Sequence, residues 1–382
     1  MPELSVIIIG VISAAVGLLF PLALAGPLTW AERRQSAYMQ DRIGPNRAAL
    51  VIGGKEYRAF GLLHPLADVI KLITKEDTVH HSVDRFLYNL APLISVFPTL
   101  VTFAIIPFGP DLMSTAGTLA LAPFANGSVP GADLLRLPLQ GARLDIGILY
   151  IFAMSSLAVF GVTLAGYAST NKFALLGGLR ASAQMISYEV TLGLAILGLV
   201  MAFQTLEPAS MVYQQGQLLF GFIPKWGLII QPLGFLIFMT AATAENKRVP
   251  FDTAEGESEI IGYFIEYSGM KFGMFYMAEY IEVVVISGVV TTLFLGGWQV
   301  PFLFSDGFHF PWGSMLQMSE WLVTALCVGA FVLKVLFMCW FQLTIRWSLP
   351  RFRYDQVMWL GWRVLLPLSL LNLVLTGLVI LS

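Results

Sequence analysis

The hydrophobic positions of this 382-residue chain fall into long unbroken runs. Apolar windows of roughly 17–27 residues are long enough to cross a bilayer as helices. Eight can be laid out, near Leu4–Trp30, Phe86–Pro107, Asp145–Tyr167, Gln184–Gln204, Leu228–Ala244, Phe272–Gly296, Trp321–Leu343 and Val357–Leu381. The pattern predicts an all-α, polytopic integral membrane protein that forms a single membrane domain over residues 1–382. The first run lacks a basic flank and a small-residue cleavage site, so it reads as a span and not as a signal peptide.

The positive charges sort the loops. Segments 31–85, 168–183, 245–271 and 344–356 hold 17 of the 22 Lys and Arg. The positive-inside rule places these four loops in the cytoplasm, and an even number of spans places both termini on the periplasmic side. The outer segment 109–142 is rich in Gly, Ala and Pro and reads as a long loop. No internal repeat is visible. An inverted-repeat transporter would show one, together with helices broken in mid-membrane.

Composition narrows the classes further. The chain is 57% hydrophobic and only 12% charged, with a mean hydropathy of +0.76, which excludes a soluble enzyme and a disordered chain. A net charge of −2 offers no basic surface for nucleic acid. Cys327 and Cys339 lie in one apolar run, about 18 Å apart if helical, too far to bridge. His64, His80, His81 and His309 all lie outside the runs. With no ligand set for haem or an iron–sulfur cluster, the chain is expected to carry no redox centre and no metal of its own.

One loop segment carries two interleaved stripes. Within 62–76, Leu62, Leu66, Val69, Ile70 and Ile73 share one helical face, and His64, Asp68, Lys71 and Lys75 share another. This predicts an amphipathic helix at the membrane interface, with Pro65 in its first turn. A surface anchor would have the same periodicity. Upstream stand Glu32-Arg33-Arg34 and Gln40-Asp41-Arg42-Ile43-Gly44-Pro45-Asn46, in which Gly44 and Pro45 predict a tight turn.

The loop 245–271 reverses the charge trend. From Glu245 to Glu266 it packs six acids against two bases. Glu255, Glu257 and Glu259 alternate and run directly into apolar Ile260-Ile261. Crowded, partly desolvated carboxylates raise one another's proton affinity, which is one way to build a proton-accepting site. A solvated charge run is the plainer alternative. Inside the spans, Glu189, Glu279, Glu282 and Lys334 are candidates for an ion pathway, against structural pairing of Lys334 with Glu189 or Glu279.

Taken together, these motifs resemble one family: the quinone-site membrane subunit of respiratory complex I, the bacterial NADH-quinone oxidoreductase. The resemblance rests on Glu32-Arg33, Gln40–Asn46, Gly61-Leu62-Leu63-His64-Pro65-Leu66-Ala67-Asp68, Lys71–Glu76, Ser187-Tyr188-Glu189-Val190, Ala244–Asp252, Glu255–Glu259, Glu266-Tyr267 and Ala278-Glu279-Tyr280, in that order. It implies a quinone as substrate, with Arg33, Arg42, Asp68 and Lys71 lining or bracing the tunnel that admits it. It implies that Glu189, Glu245, Asp252, Glu255, Glu257, Glu259, Glu266 and Glu279 form an acidic funnel for proton translocation. FMN and iron–sulfur clusters would reside in peripheral-arm partners, alongside antiporter-like and small membrane subunits, in a bacterial plasma membrane. Two departures stand out: the Glu259–Glu266 interval is one residue shorter than the family pattern, and the 109–142 loop is longer. Relatives serving a membrane-bound hydrogenase or a ferredoxin- or F420-dependent complex share the fold. A stand-alone transporter or a purely structural anchor fits the intramembrane acids and the acidic loop less well.

Overall fold

The computed structural model describes residues 2–53, 55–115, 118–121, 135–219, 221–256, 259–260, 262–310 and 313–381. Its helices are α1 (Pro2–Met39), α2 (His64–Thr74), α3 (Arg85–Phe103), α4 (Gly147–Ala168), α5 (Lys172–Phe203), α6 (Pro208–Gln215), α7 (Gly227–Ile230), α8 (Pro232–Glu245), α9 (Gly269–Phe294), α10 (Glu320–Ser348) and α11 (Tyr354–Leu381). Among the described residues, α1, α3, α4, α5, α9, α10 and α11 are long and apolar enough to cross a membrane.

The remaining predicted span, Leu228–Ala244, is not one helix. It is the single turn α7 followed by the 14-residue α8, and the break falls at Gln231, which leaves the helical region just before Pro232. Proline is tolerated at the start of a helix because its missing N–H would be unpaired there anyway. The Gln231 N–H still donates to the Gly227 carbonyl (2.8 Å), and the side chain at the break is held by a neighbouring helix. Gln231 donates to Thr376 (2.5 Å) and accepts from Asn372 (2.9 Å), both on α11. A hydropathy window averages over such a break. The expectation of unbroken helices throughout is therefore corrected at this span.

Local caps set several ends. Asp84 accepts from the amides of Phe86 and Leu87 at the start of α3, and Asn171 accepts from Phe173 at the start of α5. Between helices, small residues allow close approach, as expected where lipid removes the hydrophobic drive for association. A Cβ on Gly161 of α4 would collide with Ser95 Oγ of α3, and one on Gly166 would lie 2.7 Å from the Ala174 carbonyl of α5.

At the centre of the bundle lies α9, 83% buried over its most apolar stretch where no other span exceeds 44%. It packs against α1, α3 and α10, and α2 lies across its first turns. Gln184 of α5 ties the loop after α8 to this core by donating to the carbonyls of Ala244 (2.7 Å) and Phe251 (2.8 Å). The segment 109–142 includes a small antiparallel sheet, Leu112–Thr115 between Thr118–Leu121 and Leu135–Leu137. Residues 122–134 of that loop lie outside the described residues.

Candidate functional site

Helix α2 forms as its pattern requires, and its faces separate as predicted except at Val69, which lines the same cavity as Asp68, Lys71 and Lys75, and at His64, which lines a neighbouring one. Leu62, just before the helix, and Leu66, Ile70 and Ile73 are exposed in a ridge. Asp68, Lys71 and Lys75 turn toward a cavity of about 280 Å³ between α1, α2 and α9, together with Arg33, Phe272, Tyr276 and Tyr280. Leu72 holds α2 against α9: a Cβ on Gly273 would stand 2.9 Å from its Cδ1. Arg33 and Asp68 form an ion pair across this cavity (2.6 Å), with each side chain about 40% exposed. Arg42 lines a neighbouring cavity of about 380 Å³ with Glu32, Arg47 and His64. The hydrogen-bonded turn falls at Gln40–Asp41, ahead of the predicted Gly44-Pro45, where the chain only bends, and Arg42 bonds Gln40 (2.7 Å) and Ser36 (3.1 Å).

Behind the first cavity stands an ionic cluster that the patterns did not single out. Glu32 of α1 is buried and accepts from Arg248 (2.9 Å), Arg346 (2.6 Å) and the Tyr280 hydroxyl (2.9 Å). The Arg248 guanidinium also stacks 4.2 Å from the centre of the Tyr280 ring. Burial opposes the Arg248 charge, but Glu32 and its neighbours more than offset this and hold it firmly protonated. The Tyr280 hydroxyl lies 3.1 Å from that of Tyr276, which interacts with Arg33. A continuous polar chain thus runs from the cavity, through Tyr276 and Tyr280, to the loop after α8.

Six acids gather beyond this chain: Glu189 on α5, Glu245 at the end of α8, Glu279 and Glu282 on α9, and Asp252 and Glu255 in the loop. Neighbouring hydroxyls of α4 reach two of them, Ser156 donating to Glu189 and Ser155 to Glu245. Glu245 and Glu282 line a cavity of about 60 Å³ with Ser155, Thr99 and Thr102 amid a larger set of apolar side chains. In the loop, burial pushes the Asp252 carboxyl up to about 6, although its ion pair with Arg351 (2.6 Å) favours the charge. Glu255 is raised well above the usual carboxylate range by burial first, then by the charge of Glu279 and a hydrogen bond shared with it.

The alternating acids do not act as one crowded set. Glu259 is exposed and paired with Arg180 (2.9 Å), and Glu266 is exposed and accepts from Asn171 (2.7 Å). Neither side chain joins the cluster. Buried Ile260 and Tyr263 lie between them, so sequence proximity does not become spatial proximity. Glu257 lies outside the described residues. Glu282, noted in the sequence only as an ionisable group inside a span, is a full member. Its three-residue spacing from Glu279 was the available signal.

Lys334 does not pair with Glu189 or Glu279. Its ammonium donates to the carbonyls of Leu295, Gly297 and Gln299 at 2.7–2.9 Å, clamping the chain just beyond the far end of α9. Cys327 and Cys339 are both free and buried. No group of three or more His, Cys, Asp or Glu suited to a metal occurs among the described residues.

Long apolar helices enclosing a row of acids, beside a cavity floored by an amphipathic helix, define a polytopic integral membrane protein with ionisable groups placed inside the bundle. The sequence model of the NADH dehydrogenase family matches residues 12–377, and the chain belongs to that family. It is 42% identical to an NADH-quinone oxidoreductase subunit of Geobacter sulfurreducens, over 97% of this chain and 96% of that one. It is 41% identical to the corresponding NADH-quinone oxidoreductase subunit of Thermomicrobium roseum, over 94% and 92% of the two chains. The counterpart from Bdellovibrio bacteriovorus is 39% identical, over 92% and 91%.

Proposed function

We propose that this chain is the membrane subunit of a bacterial proton-translocating NADH:quinone oxidoreductase that admits the quinone and begins the coupling of its reduction to proton movement. The observation that carries this reading is that α9 belongs to both halves of the site. Phe272, Tyr276 and Tyr280 wall the cavity between α1 and α2, while Glu279 and Glu282 on the same helix stand among the acids. The chain lies in the plasma membrane with both termini periplasmic. Electrons arrive from partner subunits carrying FMN and iron–sulfur clusters, and antiporter-like subunits receive the coupling signal.

In this reading the apolar walls accept the quinone tail, and the mouth is braced by Arg33, Asp68 and Lys71. Arg42, in the adjoining cavity, orients the path of the headgroup. A change in charge on the quinone is felt through Tyr276, Tyr280 and Glu32 at Arg248, and so by the acid loop. Glu255 and Glu279, joined by a hydrogen bond, open the path from the loop into the bundle. Glu245 and Glu189 extend the path across the bundle, with Asp252 held at its edge by Arg351. Glu259 and Glu266, at exposed positions, serve the mouth of the funnel, and Glu257 belongs to the same loop.

The test is the assembled complex carrying Arg42→Ala. Quinone reduction is expected to be lost while oxidation of NADH by an artificial acceptor in the peripheral arm continues. Normal quinone reduction would overturn the assignment.

A further inference from the structure

The acid loop contains two cations, and they are used differently. Arg248 is committed to Glu32 (2.9 Å). Lys247, the adjacent residue, is also buried, at 5% exposure. It adopts a left-handed conformation (φ +52°), one that ordinary side chains rarely take. Its ammonium lies 5.7 Å from the centre of the Tyr263 ring. Around it stand Glu245 at the end of α8, Glu282 on α9 and Glu255 in the loop, each of which interacts electrostatically with it. Glu279 reaches it through Glu255, and Glu189 through Glu245. The other nearby cation, Arg351, is paired with Asp252.

We infer that Lys247 is the internal counter-cation of the acid row, a positioning residue that sets how many protons Glu245, Glu255 and Glu282 hold together. This rests on the proposed proton-path reading of the acids and adds a residue to it. A buried ammonium is costly unless anions compensate it, and here several acids share that task. The strained backbone at 247 is a local cost that accompanies the placement of the side chain among those acids. A cation bound tightly to one carboxylate would fix that group's charge. One shared by three lets a proton move among them while the local sum of charge stays nearly constant.

The test uses the assembled complex with Lys247→Gln, Lys247→Arg and the double variant Lys247→Gln/Glu282→Gln. The readouts are the pH profile of quinone-linked proton pumping and the protonated-carboxyl infrared band. Removing the cation favours the protonated acids, so Lys247→Gln is expected to move the carboxyl midpoint and the pumping profile to higher pH by about one unit or more. Lys247→Arg should stay near the parent. The double variant, which removes one negative charge with the positive one, should return most of the way. An unshifted midpoint in Lys247→Gln, an equal shift in Lys247→Arg, or no return in the double variant would each overturn the inference. If the midpoint shifts and returns as expected while pumping is indifferent to every acid variant, Lys247 stands as the counter-cation and the proton-path reading falls.

Discussion

The Tyr280 hydroxyl on α9 donates to the Glu32 carboxylate on α1 across 2.9 Å. That bond joins the cavity wall to the ionic cluster under the acid loop, since Glu32 also holds Arg248 and Arg346. Glu32→Gln would leave two guanidinium groups without their anion in a buried site. Breaking a buried pair from one side costs about 3–5 kcal/mol. A marked fall in the melting temperature of the membrane arm is therefore expected. Tyr280→Phe removes one donor from an acceptor that keeps two, so its expected loss is about 1 kcal/mol. Its larger effect should be fewer protons pumped per electron, measured in proteoliposomes.

At the cavity mouth the balance is reversed. Arg33 and Asp68 are each about 40% exposed, so their pair is worth at most about 1 kcal/mol to stability. Asp68→Asn should leave thermal stability almost unchanged and raise the KM for quinone, with peripheral NADH oxidation unaffected. An unaltered KM would separate this pair from the quinone path. Gly273→Val probes the same wall by packing, because a Cβ there meets Leu72 at 2.9 Å and displaces α2. It should raise the same KM.

Asp252 makes a prediction in pH. Its carboxyl is lifted to about 6 by burial, so between the ordinary carboxylate value and about 6 the folded protein holds a proton that the unfolded chain has lost. Its contribution therefore falls as pH rises through that window and is complete below it. An infrared carboxyl band with a midpoint near 6, absent in Asp252→Asn, is expected. Arg351 opposes the rise, so Arg351→Gln should move that midpoint further up. A midpoint of about 4, the ordinary carboxylate value, would contradict the assignment.

Lys334 serves as a control on the opposite end of α9. Lys334→Met strips one donor from three carbonyls and should cost about 1–3 kcal/mol, seen as a lower melting temperature. The pH profile of pumping should not move, because the acids lie at the other end of the helix.

Much of this was legible in the sequence because bilayer length and charge bias act on long stretches. Seven spans, the amphipathic α2 with Asp68 and Lys71 on one face, and the intramembrane acids Glu189 and Glu279 follow from hydropathy and helical period alone. The failures are local. Gln231 and Pro232 break a span whose apolar average is intact, and the break is sealed by Asn372 and Thr376 from a helix more than 140 residues away in sequence. Alternation of Glu255, Glu257 and Glu259 suggests a single crowded set, but the burial of Ile260 and Tyr263 turns Glu259 outward to Arg180. The role of Glu32 could not be read from its own motif. Its three partners come from α9, the loop after α8 and the end of α10, and only folding brings them together.

The most direct test of the account is the number of protons pumped per NADH oxidised by the complex carrying Glu279→Gln, reconstituted in sealed vesicles with quinone in excess. Glu279 lies on the helix shared by cavity and acids and is hydrogen-bonded to Glu255. The account predicts that pumping falls to a small fraction of the parent ratio while NADH oxidation by an artificial acceptor is unchanged. A ratio equal to that of the parent would contradict it.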